Sequence, residues 1–570
     1  PWTWCNNRTN EGEIKQRLDR ALVSHDWSQI FDRTIVKHIE TLGSDHSMLL
    51  IDSNPIQVKK KKRFFFDKRW MEKGRVEQVR KQAGEEAQTG ANVFKVQRKS
   101  ANGRVALLEG KKTGQGNSRS KLDGLKKQVV DLQGQDCENK KAATKELKRK
   151  LKEAYDEEEL FWSQKSRVQW LKKGDKNTHF FHSSVKGRRK RNKMKRIQRE
   201  DRTWTTSEED IGEEVVKHYK ELFTSKVGTP TEMVLERISQ SISDHMNTDL
   251  TQPVKEKEIK DALFSMHPTK APGPDGMTSI FYQKYWHFLK NDIISAIKSF
   301  FHLGHMLKAL NHTTISLIPK VDNPTEVKQF RPISLCNVLY KTISKILANR
   351  LKKVLGNCIS KNQAAFIPGR QILGNVIISH EYLHYLKNKS EGSKGFMALK
   401  LDMSKAYDRV EWGYLKAIMI KMGFCDIWIN WIMECISTVS FSFNINGELK
   451  GYVIPSRGIR QGDPLSPYLF LLVSEGFSNL LAQAQRSKKL TGMQISRTGP
   501  SLTHLFFADD SLVFCKADKK QAQEVMKILQ TYEKGSGQMI NMENLQFSSA
   551  KMWRNKHKKK FASVYNRLRW

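Results

Sequence analysis

Two short apolar runs in this chain end on aspartate. Phe396-Met-Ala-Leu-Lys-Leu reads as a β-strand and stops at Asp402. His504-Leu-Phe-Phe and Ser511-Leu-Val-Phe514 read as the strands of a hairpin with Asp509 and Asp510 at its tip. Adjacent aspartates repel, and burying them beside an apolar hairpin is costly without compensation. A divalent cation supplies that compensation. Mg²⁺ prefers hard oxygen ligands and typically takes one or two protein carboxylates together with substrate phosphates. Two such ions about 4 Å apart can activate an attacking hydroxyl and stabilise a leaving pyrophosphate. Each site alone also has an ordinary explanation. An Asp-Asp pair in a surface hairpin is most often a turn, and an aspartate between a strand and a helix is often an N-cap. Met403-Ser-Lys-Ala-Tyr-Asp408 is expected to begin that helix.

Charge narrows the choice of partner. The net charge is +39, from 99 Lys+Arg against 60 Asp+Glu. Such an imbalance repels itself unless polyanions neutralise it, which points first to nucleic acid. The ordinary counterpart is a basic ribosome-like or chromatin-like protein. The seven cysteines are odd in number and none has CxxC spacing, so no disulfide-linked partner and no zinc site are expected, and a reducing compartment fits better. No run reaches the roughly 18 consecutive apolar residues of a membrane span, so no membrane partner is expected. No signal peptide is visible. The chain begins at Pro1 and ends at Trp570 in a basic run, and both ends read as truncations.

The 570 residues suit several domains, and no internal repeat is visible. Residues 1–54 read as the tail of one domain, with a strand over Arg17-Leu-Asp-Arg-Ala-Leu-Val23 and a turn at Ser44-Asp-His-Ser47 before the apolar run 48–51. Residues 55–250 read as a basic, mostly helical extension. It opens with the basic run 59–63 and contains a narrow apolar stripe at Leu147, Leu151 and Tyr155, followed by Phe161 and Trp162. Within it, Arg188, Arg189, Lys190 and Arg191 start a stretch with seven basic residues in nine, either a solvated loop or a contact with a nucleic-acid backbone. From about 255 the composition becomes more apolar, helices alternate with short strands, and Pro/Gly signals appear at 270–276, 367–370 and 461–464. Residues 251–549 read as one α/β domain, and 550–570 as a truncated basic tail.

Taken in order, these blocks resemble the reverse transcriptases of non-LTR (LINE-type) retrotransposons. Phe507-Ala-Asp-Asp510 resembles their [YF]-x-D-D box, Asp402-Met-Ser-Lys-Ala-Tyr-Asp408 their first acidic motif, and Arg460-Gln-Gly-Asp-Pro-Leu-Ser-Pro467 their R-Q-G-[DC]-P-L-S-P box. Phe330-Arg-Pro-Ile-Ser334, Asn362-Gln-Ala-Ala-Phe366 with Pro368-Gly-Arg370, and 270–276 match further blocks. The segment from Gln164 to His182 is similar to plant elements. The resemblance implies a right-hand polymerase with palm, fingers and partial thumb, using two Mg²⁺ ions, with Mn²⁺ as the alternative. Asp402, Asp509 and Asp510 would be the catalytic, metal-binding acids. Tyr407 would contact the sugar and disfavour ribonucleotides, while also serving as a core aromatic. Gln461 and Gly462 would lie near the incoming nucleotide and template. Arg331 and Lys320 would contact its triphosphate, a task that suits a guanidinium. The implied partners are an RNA template, a DNA primer or target and dNTPs, with the nucleus favoured over the cytoplasm. Arg17-Leu-Asp19 and Ser44-Asp-His46 resemble the end of the apurinic-type endonuclease domain of such elements. That makes Asp45 and His46 relics of an α/β nuclease fragment, and no nicking is expected. The chain departs from the family at Asn544-Leu545, where Lys-Ser is usual. If that lysine acts as a general acid, its loss slows catalysis by roughly 10²–10⁴-fold.

Two further readings stand beside a polymerase. One is a decayed retroelement remnant that only binds nucleic acid. The other is an intron-maturase-type or viral RNA polymerase, which the R-Q-G-D-P-L-S-P block and the nuclease-like tail argue against.

Overall fold

The computed structural model describes residues 2–6, 14–31, 34–39, 45–53, 63–71, 94, 98, 101–105, 118–133, 140–166, 178–225, 232–236, 238–389, 395–496, 498–541 and 545–549. The expectations made for Ser44, 59–62, 167–177, Asn544 and 550–570 lie outside these residues. The chain divides into two units, Pro1–Lys62 and Arg63–Trp570.

In the first unit β1 (Trp4–Cys5) pairs antiparallel with β2 (Lys15–Gln16), and β3 (Ile35–Ile39) pairs antiparallel with β4 (Met48–Asp52). The strand expected over 17–23 does not form. Pairing stops at Gln16, and the N–H groups of Leu18 and Asp19 donate instead to the Thr3 hydroxyl at 2.9 and 2.8 Å. A side chain thus captures the backbone groups that a ladder would have used.

The strands of the second unit are β5 (His312–Pro319), β6 (Phe330–Leu335), β7 (Phe396–Leu401), β8 (Ser440–Ile445), β9 (Glu448–Val453), β10 (His504–Phe507), β11 (Asp510–Lys516) and β12 (Gln546–Ser549). They form two sheets of mixed α/β architecture, ordered β6-β5-β8-β9 and β10-β11-β7-β12. The β5–β8 pair is parallel and the others are antiparallel. β7 explains why its run lacks polar alternation. Met397, Leu399 and Leu401 enter the larger core, which the helices Ser466–Arg486 and Lys519–Ser536 share. Phe396 and Ala398 enter a smaller one with Tyr382 and Leu386 of the helix Ile372–Asn388. A strand covered on both faces reads as continuous apolar sequence.

The first sheet is covered by the helix Glu208–Phe223. Ser207 caps it by accepting the Asp210 N–H, and Glu208, Glu209 and Asp210 suit its positive end. Its residues Ile211, Val215 and Tyr219 share a core with Phe441 and Phe443, and Tyr219 stacks on Phe443 at 5.0 Å. Met194 and Ile197 join that core. The boundary expected near 250 is therefore no break in packing, because the apolar stripe of this helix is buried against strands some 200 residues later in the chain.

The extension contains the helices Ser118–Gln133, Lys140–Ser166 and Thr178–Asn192, in line with its helical pattern. Its expected stripe is corrected at one position. Ala154 and Glu158 are buried, whereas Tyr155 is exposed. Positions 154, 155 and 158 all lie near the Leu151 face of a 3.6-residue helix, and packing buries the 154/158 side of it. The helix expected to start at Met403 is also corrected. Residues 404–406 form a turn, a single 3₁₀ turn covers Tyr407–Arg409, and the α-helix begins at Trp412. Lys405 has φ +54°, which a right-handed helix does not accommodate.

Helix Ser466–Arg486 packs on helix Trp412–Met422 through Gly476, where an added Cβ would overlap the Tyr414 hydroxyl. That hydroxyl is buried with no hydrogen-bond partner among the described residues. Gly476→Ala should therefore lower stability by about 1–3 kcal/mol, despite alanine's better helix propensity. Tyr414→Phe should restore part of the loss in the double variant, as measured by chemical denaturation. Additive effects of the two substitutions would contradict this contact.

Candidate active site

The register of the second sheet brings the acids together. β11 pairs with β7 so that Ser511 faces Leu401, and one residue further on each strand lie Asp510 and Asp402. β10 and β11 are joined by two residues, Ala508 and Asp509, between the paired Phe507 and Asp510. Asp402 and Asp509 line one cavity of about 1380 Å³ together with Tyr407, Gln461, Gly462, Arg331 and Lys320. Asp510 is exposed and is not among the residues lining it. Among the described residues no three His, Cys, Asp or Glu side chains converge as a metal cage. Of the three acids expected, Asp402 and Asp509 line the cavity, and Asp510 lies next to Asp509 in the chain and opposite Asp402 across the β7–β11 pair. Asp509 belongs to the two-residue turn and Asp510 to the first position of β11.

Burial holds the Asp509 carboxyl above its ordinary value, and the charges of Asp510 and Asp402 add to that, while Arg331 opposes it. Asp402 has support that the sequence reading did not assign. The Asn541 N–H donates to the Asp402 carbonyl at 2.8 Å, and the Asn541 amide donates to its carboxylate at 3.3 Å. Its sequence signal is local: Asn541 closes the run Ser536-Gly-Gln-Met-Ile-Asn541, three residues before the departure at Asn544.

Tyr407 lies between the cavity and the core. It lines the cavity, and its ring stacks on Phe470 with centroids 5.2 Å apart and planes 10° apart. Its hydroxyl is pushed well above its ordinary value by burial and by the Asp509 charge. Two neighbours in the same motif carry opposite charges, Asp408 buried and Lys405 partly so. Asp408 is pushed up to about 7 by burial, against the pull of Lys405, Lys320 and Arg409. Lys405 is lowered to about 8 by burial, and its ammonium donates to the carbonyls of Lys328 and Phe330, each at 3.2 Å.

Gln461 and Gly462 are held by their flanks. Arg460 and Asp463 are both buried and ion-paired at 3.2 Å. The guanidinium also donates to Asn311 Oδ1 at 2.6 Å and to the Cys435 carbonyl at 2.9 Å, and it lies 3.8 Å from the Tyr340 ring centroid. Asp463 accepts from the Tyr340 hydroxyl at 2.5 Å and from Ser344. The Gln461 carbonyl accepts the Ser334 N–H at 2.8 Å, tying this loop to β6. Gly462 has φ +102°, and a Cβ there would sit 3.3 Å from the Ser334 carbonyl oxygen, so backbone and space both favour glycine.

The remaining candidates lie elsewhere. In the first unit the Trp4 indole donates to Asp45 at 2.8 Å, and His46 Nδ1 lies 2.9 Å from Asp19 Oδ2. The hydrogen bond to Asp19 raises the His46 pKa. The 188–191 run is not a loop, since it belongs to the helix Thr178–Asn192. Arg188 is engaged with protein, donating to the carbonyls of Lys165 and Ser166 at 2.5 and 2.9 Å. These are C-terminal carbonyls of the preceding helix, which have no partner within it. Arg189, Lys190 and Arg191 are exposed.

Residues 318–562 match the family described as "Reverse transcriptase (RNA-dependent DNA polymerase)". This chain carries a reverse transcriptase domain. Over 435 residues it is 28% identical to the Transposon TX1 uncharacterized 149 kDa protein of Xenopus laevis, covering 75% of this chain and 32% of that protein. Over 279 residues it is 25% identical to the Retrovirus-related Pol polyprotein from type-2 retrotransposable element R2DM of Drosophila melanogaster, covering 48% of this chain and 24% of that one. An uncharacterized mitochondrial protein of Arabidopsis thaliana is 54% identical over 69 residues, 12% of this chain and 57% of its own length. The chain thus spans about a third or less of the two transposon relatives. The reverse transcriptase domain is of the non-LTR retrotransposon type. No helix among the described residues is long and apolar enough to cross a membrane.

The raised pKa of Asp509 has a measurable consequence. Its folded value lies above the unfolded one, so ionisation destabilises the fold. The effect is absent below the ordinary carboxylate range and grows as pH rises through the raised folded value. In chelator, Asp509→Asn should raise Tm at pH 8 and by clearly less at pH 4. An equal shift at both pH values, or a lower Tm at pH 8, would contradict this.

Proposed function

We propose that this chain is an RNA-directed DNA polymerase of a LINE-type retroelement, adding dNTPs to a DNA 3′-hydroxyl on an RNA template. The observation that carries the reading is the β7–β11 register, which sets Asp402 and Asp509 on one cavity with Arg331 and Lys320. In this reading the β10-β11-β7-β12 sheet is the palm and the β6-β5-β8-β9 sheet belongs to the fingers.

The donor set suits Mg²⁺. Two carboxylates are the usual protein share of such a site, the rest coming from water and substrate phosphates, and a cation would offset the burial and neighbouring negative charge that hold Asp509 up. Asp402 and Asp509 would be its ligands, with Asp510 beside them. A bound metal pair would supply charge neutralisation at the attacking hydroxyl and the leaving pyrophosphate.

The chain's own groups position the reactants. Arg331 offers a planar guanidinium to the triphosphate, and Lys320 a point charge beside it. Asn541 orients the Asp402 carboxylate. Tyr407, braced by Phe470, presents its ring where a ribose 2′-hydroxyl would crowd it. Gln461 and Gly462 lie at the nascent base pair, fixed from behind by Arg460 and Asp463. The exposed Arg189, Lys190 and Arg191 suit backbone phosphates through counterion release. In the first unit Asp45, His46 and Asp19 read as part of an apurinic-type nuclease.

Primer extension on an RNA template with Mg²⁺ and dNTPs should incorporate label. The Asp509→Asn, Asp510→Asn double variant should lower the rate by about 10²–10³-fold or more while still binding RNA. Tyr407→Ala should raise ribonucleotide use relative to dNTPs by roughly 10-fold or more. A wild-type chain that binds RNA but never extends a primer would leave only a nucleic-acid-binding remnant. Equal use of both nucleotide types by the wild type would remove the role given to Tyr407.

A further inference from the structure

The hairpin that carries Asp509 turns on a residue poorly suited to its conformation. Ala508, the first of the two loop residues, has φ +59°. Two-residue hairpin loops of this form favour glycine at that position, because a Cβ crowds the backbone in left-handed geometry. The loop also faces electrostatic strain, since Asp509 stands among the charges of Asp510 and Asp402.

One distant side chain grips this residue from both sides. Gln363 is 1% exposed. Its Oε1 accepts the Ala508 N–H at 3.0 Å, and its Nε2 donates to the Ala508 carbonyl at 3.3 Å. The same Oε1 accepts the Ala365 N–H at 3.1 Å, so two N–H donors agree on which end of the amide is oxygen. The base of the grip is rigid. Phe506 N–H donates to the Asn362 carbonyl at 2.9 Å, and the Asn362 amide donates to the His504 carbonyl at 2.6 Å. The Asn375 amide donates to the carbonyls of Asn362 and Phe506 at 2.9 and 3.2 Å. The Arg370 guanidinium donates to the carbonyls of Ile359 and Gln363, each at 2.8 Å. Residues 362–364 therefore run along β10 as an added edge, and the Gln363 side chain reaches from that edge to the tip.

We propose that Gln363 is a positioning residue: its amide clamps Ala508 in the left-handed conformation and so aims Asp509 into the cavity beside Asp402. It acts through the backbone of residue 508 and on no reacting atom. The inference rests on the polymerase reading for its kinetic consequence, though not for the clamp itself.

The test uses the full chain with Gln363→Met, which keeps side-chain length and removes both hydrogen bonds. Hydrogen exchange at the Ala508 amide reads the clamp directly, whether or not the chain polymerises. Exchange should quicken by about 10-fold or more, and unchanged exchange overturns the proposal. In primer extension kcat should fall by about 10- to 100-fold, with KM for primer–template unchanged. Adding Ala508→Gly should recover most of that loss, because glycine adopts this φ without crowding. A merely structural role for Gln363 would instead lower Tm, with no recovery from glycine at 508. Wild-type kcat in Gln363→Met, or a loss that Ala508→Gly does not mend, overturns the positioning role. A wild-type chain that fails to extend any primer, with exchange at 508 still dependent on Gln363, overturns the polymerase reading and leaves the clamp standing.

Discussion

The pairing of β7 with β11 is the constraint on which the rest of the site depends. With Leu401 opposite Ser511, the acids that end the two strands must lie side by side, whatever their repulsion. A slip of one residue would turn every apolar side chain of β7 to the other face, exchanging Met397, Leu399 and Leu401 with the residues of the smaller core. Packing on both faces therefore enforces a register that electrostatics alone would resist. The hydrophobic burial of two cores outweighs the repulsion of a few partly solvated carboxylates, and burial, with that repulsion added, leaves Asp509 with a raised pKa.

The surroundings handle buried charge in two ways. Around Arg460 and Asp463 nearly every donor and acceptor is matched: the guanidinium meets a carboxylate, an amide, a carbonyl and an aromatic face, while the carboxylate meets two hydroxyls. Such a satisfied network is rigid, and removing one partner would strand the other. Asp408 and Lys405 are less completely compensated, and burial moves each toward its neutral form. The first arrangement suits a scaffold behind Gln461 and Gly462. The second lies at the cavity itself, where phosphates and cations would alter the local field.

Much of this site was legible in the chain. The apolar runs ending at Asp402 and Asp509 became strands at the expected positions, since a run covered on both faces needs only its own composition to announce it. Tyr407, Gln461, Gly462, Arg331 and Lys320 line the same cavity as the two acids. Elsewhere local pattern misled. Residues 17–23 read as a strand, yet the Thr3 hydroxyl takes the N–H groups of Leu18 and Asp19. Arg188 looks like part of a phosphate patch, yet it completes the end of a neighbouring helix. In the first case a hydroxyl and in the second two backbone carbonyls from elsewhere in the fold decided the outcome, and periodicity carries no trace of such partners.

By itself the sequence determined which strands end in carboxylates, that a short turn carrying aspartates joins β10 to β11, and that the chain is basic enough to need a polyanion. These are properties of residue type and short-range spacing. Only the tertiary structure decided that Asp510 stands outside the cavity, that Asn541 orients Asp402, and that Gln363 holds Ala508 from 145 positions away. The reason is physical: a hydrogen bond has direction and a reach of about 3 Å, so its partners are chosen by where the folded backbone passes and not by their order along it.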